Sequence, residues 1–231
     1  MTELVLVRHG QASFGHSNYD VLSPVGSRQG TVLGAHWKQT GFGADVYYSG
    51  AMARQKDTAV HALADAGITA AVAENRAFNE YDFENILPGY LPVVAREHPQ
   101  LLMNGSAPFQ DKRQFQQLFE IIIGYWLSGR ATEGKPVETW AAFSARVAAG
   151  LHAVATPDQK RVTVFTSGGV IAVALREALR VSDEMAMRLN WRIANASVHR
   201  FKMGKGGLSL LEFNNITHLE LARDPALVTF R

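Results

Sequence analysis

The chain contains no cysteine and has almost no excess of one charge over the other. The absence of cysteine excludes disulfides, thiolate nucleophiles, iron–sulfur clusters and zinc sites built on thiolates. It also fits a reducing, cytoplasmic location. Lys and Arg together number 23 and Asp and Glu 21, so the formal net charge is +2. So small an excess creates no broad positive field, and we expect neither nucleic acid nor a membrane surface as a partner.

Long hydrophobic runs are missing as well. The longest, residues 162–175, is interrupted by Thr166, Ser167 and two glycines, whereas a bilayer-spanning helix needs about 20 predominantly apolar residues. The 8 histidines are scattered along the chain and show no metal-ligand spacing. We therefore expect no metal site and no other cofactor.

The residues that are present predict an α/β fold. Apolar strand patterns alternate with helical ones: strands are expected at 4–7, 46–48, 68–73 and 162–165, and helices at 24–39, 51–66, 137–155 and 168–179. Such alternation is typical of a mainly parallel sheet with helices on both faces. The segments 197–203 and 208–213 flank a Lys-Gly-Gly turn and predict a hairpin that adds antiparallel strands at one edge.

The middle of the chain has a different character, because it is rich in proline and polar residues. We interpret residues 74–134 as a helical cap insertion, with a helix at about 109–127, in a single domain that covers residues 1–231. Substrate specificity is expected to lie in this insertion. The candidate lining residues are Tyr81, Phe83, Tyr90 and Arg96, although packing of the cap is an equally simple role for each aromatic ring.

The residues that follow the predicted strands predict a phosphate site. In an open α/β sheet, ligands bind beyond the carboxyl ends of the strands. The residues at those ends are Arg8-His9-Gly10-Gln11 after the first strand, Ser49 and Arg54 after the second, Glu80, Asp82 and Glu84 after the third, and Ser167-Gly168-Gly169 after a later one. Each is common alone. Together they bring two guanidinium groups and a helix N-terminus to one edge of the sheet. Guanidinium groups and helix N-termini are both suited to bind phosphate.

Several ordered segments resemble the histidine phosphatase superfamily, the phosphoglycerate-mutase-like group. They are the R-H-G tripeptide at Arg8-His9-Gly10, the helix start from Leu22-Ser23-Pro24 to Gln29, the segment from Ser49 through Arg54 to Thr58-Ala59, the acid loop Glu80-Tyr81-Asp82-Phe83, and the helix from Glu138 to Arg146. The tripeptide alone is a weak signal. Five segments in the same order over most of the chain are a strong one.

The resemblance implies a role for each matching residue. His9 would attack phosphorus and form a phosphohistidine without a metal ion. Arg8, Arg54, Ser167 and Gln11 would bind the phosphoryl oxygens. Glu80 would protonate the leaving oxygen and then activate water, for which its pKa would have to be raised. Asp82 and Glu84 remain alternatives for the acid. The implied ligand is phosphate or a small phosphorylated substrate.

Two positions depart from the family pattern. Ser167 stands where the family has a second histidine, so a neutral donor replaces a cation. The difference is worth about 1–2 kcal/mol of oxyanion binding, and if the contact tightens in the transition state the rate falls by roughly 10²-fold. Phe14 and Gly15 also depart from the mutase pattern, in which an asparagine occupies the position of Gly15.

The sequence therefore favours a phosphatase that hydrolyses a phosphomonoester through His9. A phosphate-binding regulatory module with weak or no turnover is the alternative, because of Ser167, and a phosphomutase ranks below both. The identity of the substrate and the oligomeric state stay open, a homodimer being one option.

Overall fold

The computed structural model describes residues 1–13, 20–101, 112–133 and 136–230, and these residues form one six-stranded sheet and eight α-helices. The strands are β1 (Thr2–Arg8), β2 (Val46–Ser49), β3 (Val72–Glu74), β4 (Arg161–Thr166), β5 (Val198–Gly204) and β6 (Gly207–Asn215). The helices are α1 (Pro24–Thr40), α2 (Ala53–Ala66), α3 (Phe83–Glu97), α4 (Lys112–Leu127), α5 (Trp140–Val154), α6 (Gly168–Leu179), α7 (Asp183–Asn190) and α8 (Thr217–Leu221).

The sheet has the strand order β3-β2-β4-β1-β5-β6. The four strands from β3 to β1 run parallel to one another. At the other side, β5 pairs antiparallel with β1 and forms a hairpin with β6. The predicted fold class is therefore confirmed: the sheet is mostly parallel, with an antiparallel hairpin at one edge.

Strand β1 shows why the sheet is covered on both faces. Successive side chains of a strand point to opposite faces, yet Leu4, Val5, Leu6 and Val7 are all fully buried. On one face, Val5 and Val7 belong to a hydrophobic core formed with side chains of α1 and α2. Helix α6 also contacts β1. A strand buried in this way is a continuous apolar run rather than an alternating one.

Helix α1 begins where the sequence predicts. Ser23 is its N-cap and accepts a hydrogen bond from the Gly26 N–H, and Pro24 occupies the first helical position. Further along, a Cβ at Gly34 would lie 2.2 Å from the Ala62 carbonyl oxygen of α2. Glycine at this position thus permits close packing of α1 against α2.

The chain divides into two compact units, one made of Met1–Glu80 and Arg146–Arg231 and the other of Tyr81–Ala145. The first contains the whole sheet. In the second, the ring of Trp126 packs against Tyr81 and Phe143, with ring centroids 4.9 and 6.0 Å apart. The interpretation of residues 1–231 as one domain with an insertion at 74–134 stays a prediction.

Helix α3 and strand β3 differ from the sequence prediction. Helix α3 was not predicted, and it contains Pro88 and Pro92, each of which removes a backbone donor. The helix buries an apolar face that includes Ile86 and Val94. Strand β3 covers only Val72–Glu74 rather than 68–73. Of the helix expected at 109–127, residues 112–127 are helical, and 109–111 lie outside the described residues.

None of the helices in the described ranges combines the length and the apolar character that crossing a bilayer requires.

Candidate active site

The carboxyl ends of β1, β2 and β4 meet at one edge of the sheet. The His9 N–H donates to the Thr166 carbonyl at 2.8 Å, and the Gly50 N–H donates to the Phe165 carbonyl at 3.1 Å. Residues that are far apart in the sequence therefore begin three adjacent loops. This is the edge at which an open α/β sheet binds ligands.

The imidazole of His9 is held in one tautomer. Its Nδ1 lies 2.7 Å from the Gly10 carbonyl oxygen, which can only accept, so Nδ1 carries the proton. Its Nε2 lies 3.2 Å from Nε of Arg54, which can only donate. The partner of one ring nitrogen decides the protonation of the other. Nε2 therefore has a lone pair.

The electrostatic surroundings of His9 favour the neutral ring. Burial holds the pKa of His9 well below its ordinary value of 6.5, and the positive charges of Arg54 and Arg8 lower that pKa further. Both effects disfavour an imidazolium. The lone pair on Nε2 is thus present at neutral pH, which a nitrogen nucleophile requires.

Arg54 joins His9 to an acidic residue that the sequence analysis did not select. Its Nη1 donates to the Asp20 carboxylate at 2.8 Å, and the other oxygen of that carboxylate accepts from the Ala53 N–H at 2.8 Å, at the start of α2. The side chain of Arg54 is only 5% exposed and that of Asp20 is 36% exposed. A carboxylate thus lies where two donors, a guanidinium and a helix N-terminus, could bind an anion.

The loop after β1 packs tightly on α1 and α2. The Gly10 N–H donates to Oγ1 of Thr58 at 2.9 Å, one turn beyond Arg54 on α2. A Cβ at Gly10 would lie 2.4 Å from the Gly26 carbonyl oxygen. Only glycine allows this close approach, which explains the third residue of the R-H-G motif in this chain.

A chain of buried amides holds the same loop from the side of the C-terminal segment. Gln29 is fully buried; it accepts from the Gln11 N–H at 2.8 Å and donates to the Leu227 carbonyl at 2.7 Å and to Thr229 Oγ1 at 2.9 Å. The Thr229 hydroxyl donates to the Asn195 side chain at 2.9 Å. Asn195 in turn donates to the His9 carbonyl at 3.4 Å. Residues 225–230 therefore help to position the loop after β1, which contains His9.

Arg8, predicted to bind phosphate, also contacts the C-terminal segment. Its Nη1 donates to the Ile193 carbonyl and, at 3.1 Å, to the Phe230 carbonyl. The guanidinium held by these bonds lies beside the start of α6. A Cβ at Gly168 would be 3.9 Å from Nε of Arg8. The positive charge of Arg8 contributes to lowering the pKa of His9.

Ser167, predicted to stand at the position of the family's second histidine, is fully buried and is the N-cap residue of α6. Its Oγ lies 2.8 Å from Nε2 of Gln55, the residue after Arg54. Gln55 is also fully buried. The sequence analysis did not select Gln55, because no pattern indicates that an amide on α2 reaches the end of β4.

Glu80 lies at the start of α6. Both of its carboxylate oxygens are 3.1 Å from the Gly169 N–H. A carboxylate is favoured here, because the helix N-terminus carries partial positive charge. Glu80 belongs to the same compact unit as His9 and Ser167.

The two alternative acids have other surroundings. Asp82 is the N-cap of α3 and accepts from the Asn85 N–H at 3.2 Å. Glu84 is exposed in the first turn of the same helix. Both belong to the unit Tyr81–Ala145. Among the three carboxylates, only Glu80 is bonded to the backbone that follows Ser167.

The remaining predicted residues make contacts of their own. Gln11 accepts from the Ser23 hydroxyl at 2.8 Å. Phe83 packs on Phe119 with ring centroids 5.0 Å apart, and the Tyr90 hydroxyl donates to the Arg130 carbonyl at 2.7 Å. Arg96 forms an exposed ion pair with Glu133. For Tyr81, Phe83 and Tyr90, packing within the unit Tyr81–Ala145 is thus observed, and a role in specificity stays a prediction.

Two further predictions concern what the site lacks. Phe14 and Gly15, which depart from the mutase pattern, lie outside the described residues. In the parts of the chain that the structure describes, no three side chains of His, Asp or Glu are grouped so that they could hold a metal ion.

Comparisons with known proteins show the family and the fold of the chain. The family model for the histidine phosphatase superfamily (branch 1) matches residues 4–216. Among solved structures, a phosphoserine phosphatase mutant from Entamoeba histolytica is 20% identical, with a TM-score of 0.63 over 95% of this chain and 100% of that one. No curated protein matches the chain.

Two further solved structures share the fold. A phosphoglycerate mutase from Bacillus anthracis is 17% identical, with a TM-score of 0.66 over 96% of this chain and 97% of that one. The alpha-ribazole phosphatase from Shigella flexneri is 18% identical, with a TM-score of 0.63 over 93% of this chain and 96% of that one. At these identities the likeness shows the fold, which phosphatases and a mutase share.

Proposed function

The chain belongs to the histidine phosphatase superfamily, and from that premise we propose that it hydrolyses a phosphomonoester through a phosphohistidine on His9. The observation that carries the proposal is the state of His9. Its Nδ1 proton is donated to the Gly10 carbonyl, and its Nε2 lone pair faces a guanidinium. A neutral imidazole beside a cation is suited to attack a phosphorus atom whose oxygens that cation binds.

The reaction follows from these positions. The Nε2 lone pair forms a bond to phosphorus while the bond from phosphorus to the leaving oxygen breaks. Arg54 and Arg8 stabilise the charge on the phosphoryl oxygens, which is the main catalytic requirement of phosphoryl transfer. Glu80, protonated when the negative charge of the phosphoryl group is bound beside it, gives its proton to the leaving oxygen. It then takes a proton from water, whose oxygen attacks phosphorus and releases phosphate and neutral His9.

The proposal is tested by comparing His9→Ala with the native protein on p-nitrophenyl phosphate, without added metal. We expect His9→Ala to lose at least about 10³-fold in kcat, as nucleophile removal does in other covalent enzymes. His152→Ala is the matched control, because His152 is 54% exposed on α5; its rate should stay native. An alkaline rapid quench should trap one phosphohistidine per native chain. Equal rates for His9→Ala and the native protein would overturn the proposal.

One observation favours a second function, a phosphate-binding module with little turnover. The Asp20 carboxylate occupies Nη1 of Arg54, so a phosphoryl oxygen must compete with it there. In addition, the second cation of the family pattern is replaced by the neutral Ser167. Binding of inorganic phosphate without any trapped phosphohistidine would favour this function, and a trapped intermediate would exclude it.

A further inference from the structure

Gln55 and Ser167 form a buried polar pair beside the proposed nucleophile. Both side chains are fully buried, and Nε2 of Gln55 lies 2.8 Å from Oγ of Ser167. A buried polar group that is left without a partner costs free energy, so such pairs are specific. The question is what this pair does at the position where the family has a single imidazole.

The orientation of the Gln55 amide is determined by its other two bonds. The Phe78 carbonyl can only accept, so the atom 3.0 Å from it is the amide nitrogen. On the other side, Oε1 accepts from the Met52 N–H at 3.3 Å. Nε2 has two hydrogens, and they are donated to the Phe78 carbonyl and to Ser167.

The hydroxyl of Ser167 therefore accepts from Gln55. A hydroxyl that accepts a bond directs its own hydrogen elsewhere and donates more strongly, because chains of hydrogen bonds polarise one another. The Ser167 hydroxyl thus accepts one bond from the Gln55 amide and keeps its own hydrogen to donate to another group.

The fold places the pair on two segments that contact the proposed nucleophile, His9. Ser167 follows Thr166 directly, and the Thr166 carbonyl accepts from the His9 N–H at 2.8 Å. Gln55 follows Arg54, which donates to the His9 ring. Ser167 and Gln55 are thus the sequence neighbours of Thr166 and Arg54, which form hydrogen bonds to the backbone and to the ring of His9.

The backbone around the pair has room for the amide. A Cβ at Gly50 would lie 1.9 Å from Oε1 of Gln55, so any larger residue at position 50 would displace the amide. The glycine after β2, the glutamine on α2 and the serine after β4 are thus mutually dependent. This dependence suits a local replacement of the imidazole rather than its simple loss.

We propose that Gln55 is a positioning residue that acts through Ser167, and that the two together replace the second histidine of the family as a neutral donor to the phosphoryl oxygen. The inference rests on the proposed function, because it assigns the pair to the same phosphoryl group that His9 attacks. It differs from a purely structural role, in which both side chains would only fill space.

The test is a double-mutant cycle on p-nitrophenyl phosphate hydrolysis. It compares the native protein, Gln55→Met, Ser167→Ala and the double variant. We expect Ser167→Ala to lower kcat by roughly 10–10²-fold and to raise KM by a smaller factor, and Gln55→Met to lower kcat by roughly 3–10-fold. The double variant should equal Ser167→Ala within about twofold, because without the hydroxyl Gln55 has nothing to position.

The matched control is Gln39→Met, the same chemical change at an exposed position of α1, which should retain native kcat. If the single effects multiply in the double variant, Gln55 acts independently of Ser167 and the proposal is overturned. An unchanged kcat in Ser167→Ala overturns it as well. Thermal unfolding is measured on each variant. If Gln55→Met unfolds, Gln55→Asn, which keeps a buried amide but shortens its reach, replaces it in the same cycle.

A second readout separates this inference from the proposed function. The dissociation constant for inorganic phosphate is measured on the same four proteins, and it needs no turnover. If the native protein shows no hydrolysis but the phosphate constants are non-additive in the same way, the pair is upheld and the proposed function fails. If phosphate affinity is the same in all four proteins and hydrolysis is absent, the inference is overturned together with that function.

Discussion

The residues at the end of β1 and those at the end of β4 are neighbours along one edge of the sheet, but they differ in charge. We define the β1 side as Arg8, His9 and Arg54, and the β4 side as Gln55, Glu80, Ser167 and Gly169. The β1 side holds a buried neutral imidazole between two guanidinium groups. The β4 side holds a neutral amide–hydroxyl pair and a carboxylate bonded to a helix N-terminus.

The difference indicates a division of labour. Positive charge that could bind a phosphoryl dianion is concentrated on the β1 side, together with the proposed nucleophile. The β4 side provides neutral donors and the carboxylate proposed as the acid. If so, changes on the β1 side should reduce phosphate binding and chemistry together, and changes on the β4 side should act mainly on kcat. The following predictions test this.

After the loss of His9 itself, the largest expected effect is that of Arg54→Ala on the β1 side. It removes the guanidinium that faces Nε2 of His9, and we expect kcat/KM to fall by about 10²–10³-fold, in the range found when a charge-stabilising group is removed. KM and the dissociation constant for phosphate should both rise. Arg28→Ala is the control, because Arg28 is 58% exposed and pairs with Asp224 at the surface. A loss below about threefold in Arg54→Ala would contradict the assignment of phosphate binding to the β1 side.

The next effect is that of Glu80→Gln on the β4 side. We expect kcat for an alkyl phosphate to fall by about 10²-fold, since an alkoxide leaves poorly without a proton. In rapid mixing, the first turnover with p-nitrophenyl phosphate should be slowed much less, because its leaving group is more acidic. Asp82→Asn and Glu84→Gln are the matched variants and test the two alternatives for the acid. If either of them reproduces the loss while Glu80→Gln does not, the acid is not Glu80.

The smallest expected effect is that of mild acid on the β1 side. Neutral His9 is the reactive form, and burial with the two nearby arginines keeps its pKa well below 6.5. Lowering the pH removes activity only when it approaches the pKa of His9 in the folded protein. We therefore expect kcat/KM to change less than about twofold between pH 7.5 and 6. An imidazole at the reference pKa would lose roughly fourfold over that range. An acid limb centred near pH 6.5 would show that His9 is not held neutral by its surroundings.

The β1 side could be predicted from the sequence more fully than the β4 side. His9 and Arg54 lie directly after a buried strand and in the first turn of a helix, so local patterns place both at the sheet edge. Ser167 was located in the same way. Its partner Gln55 was not, because a hydrogen bond between residues 112 positions apart depends on how α2 packs beside β4 rather than on any local spacing.

Other residues were missed for the same kind of reason. Asp20 reaches Arg54, and the buried Gln29 reaches residues of the C-terminal segment. Both contacts form only when distant segments meet. Helix α3 was not predicted; it contains Pro88 and Pro92, and packing within the unit Tyr81–Ala145 favours the helix.

The sequence by itself determined most of the strands and helices, the ends of the strands at which chemistry would gather, and the presence of a serine at position 167. These depend on local periodicity, capping and residue type. Only the tertiary structure decided the tautomer of His9, the contact of Asp20 with Arg54, and the pairing of Ser167 with Gln55. The reason is that hydrogen-bond partners of buried groups are chosen by three-dimensional proximity, and each choice changes the charge and donor state of the groups that would meet a phosphate.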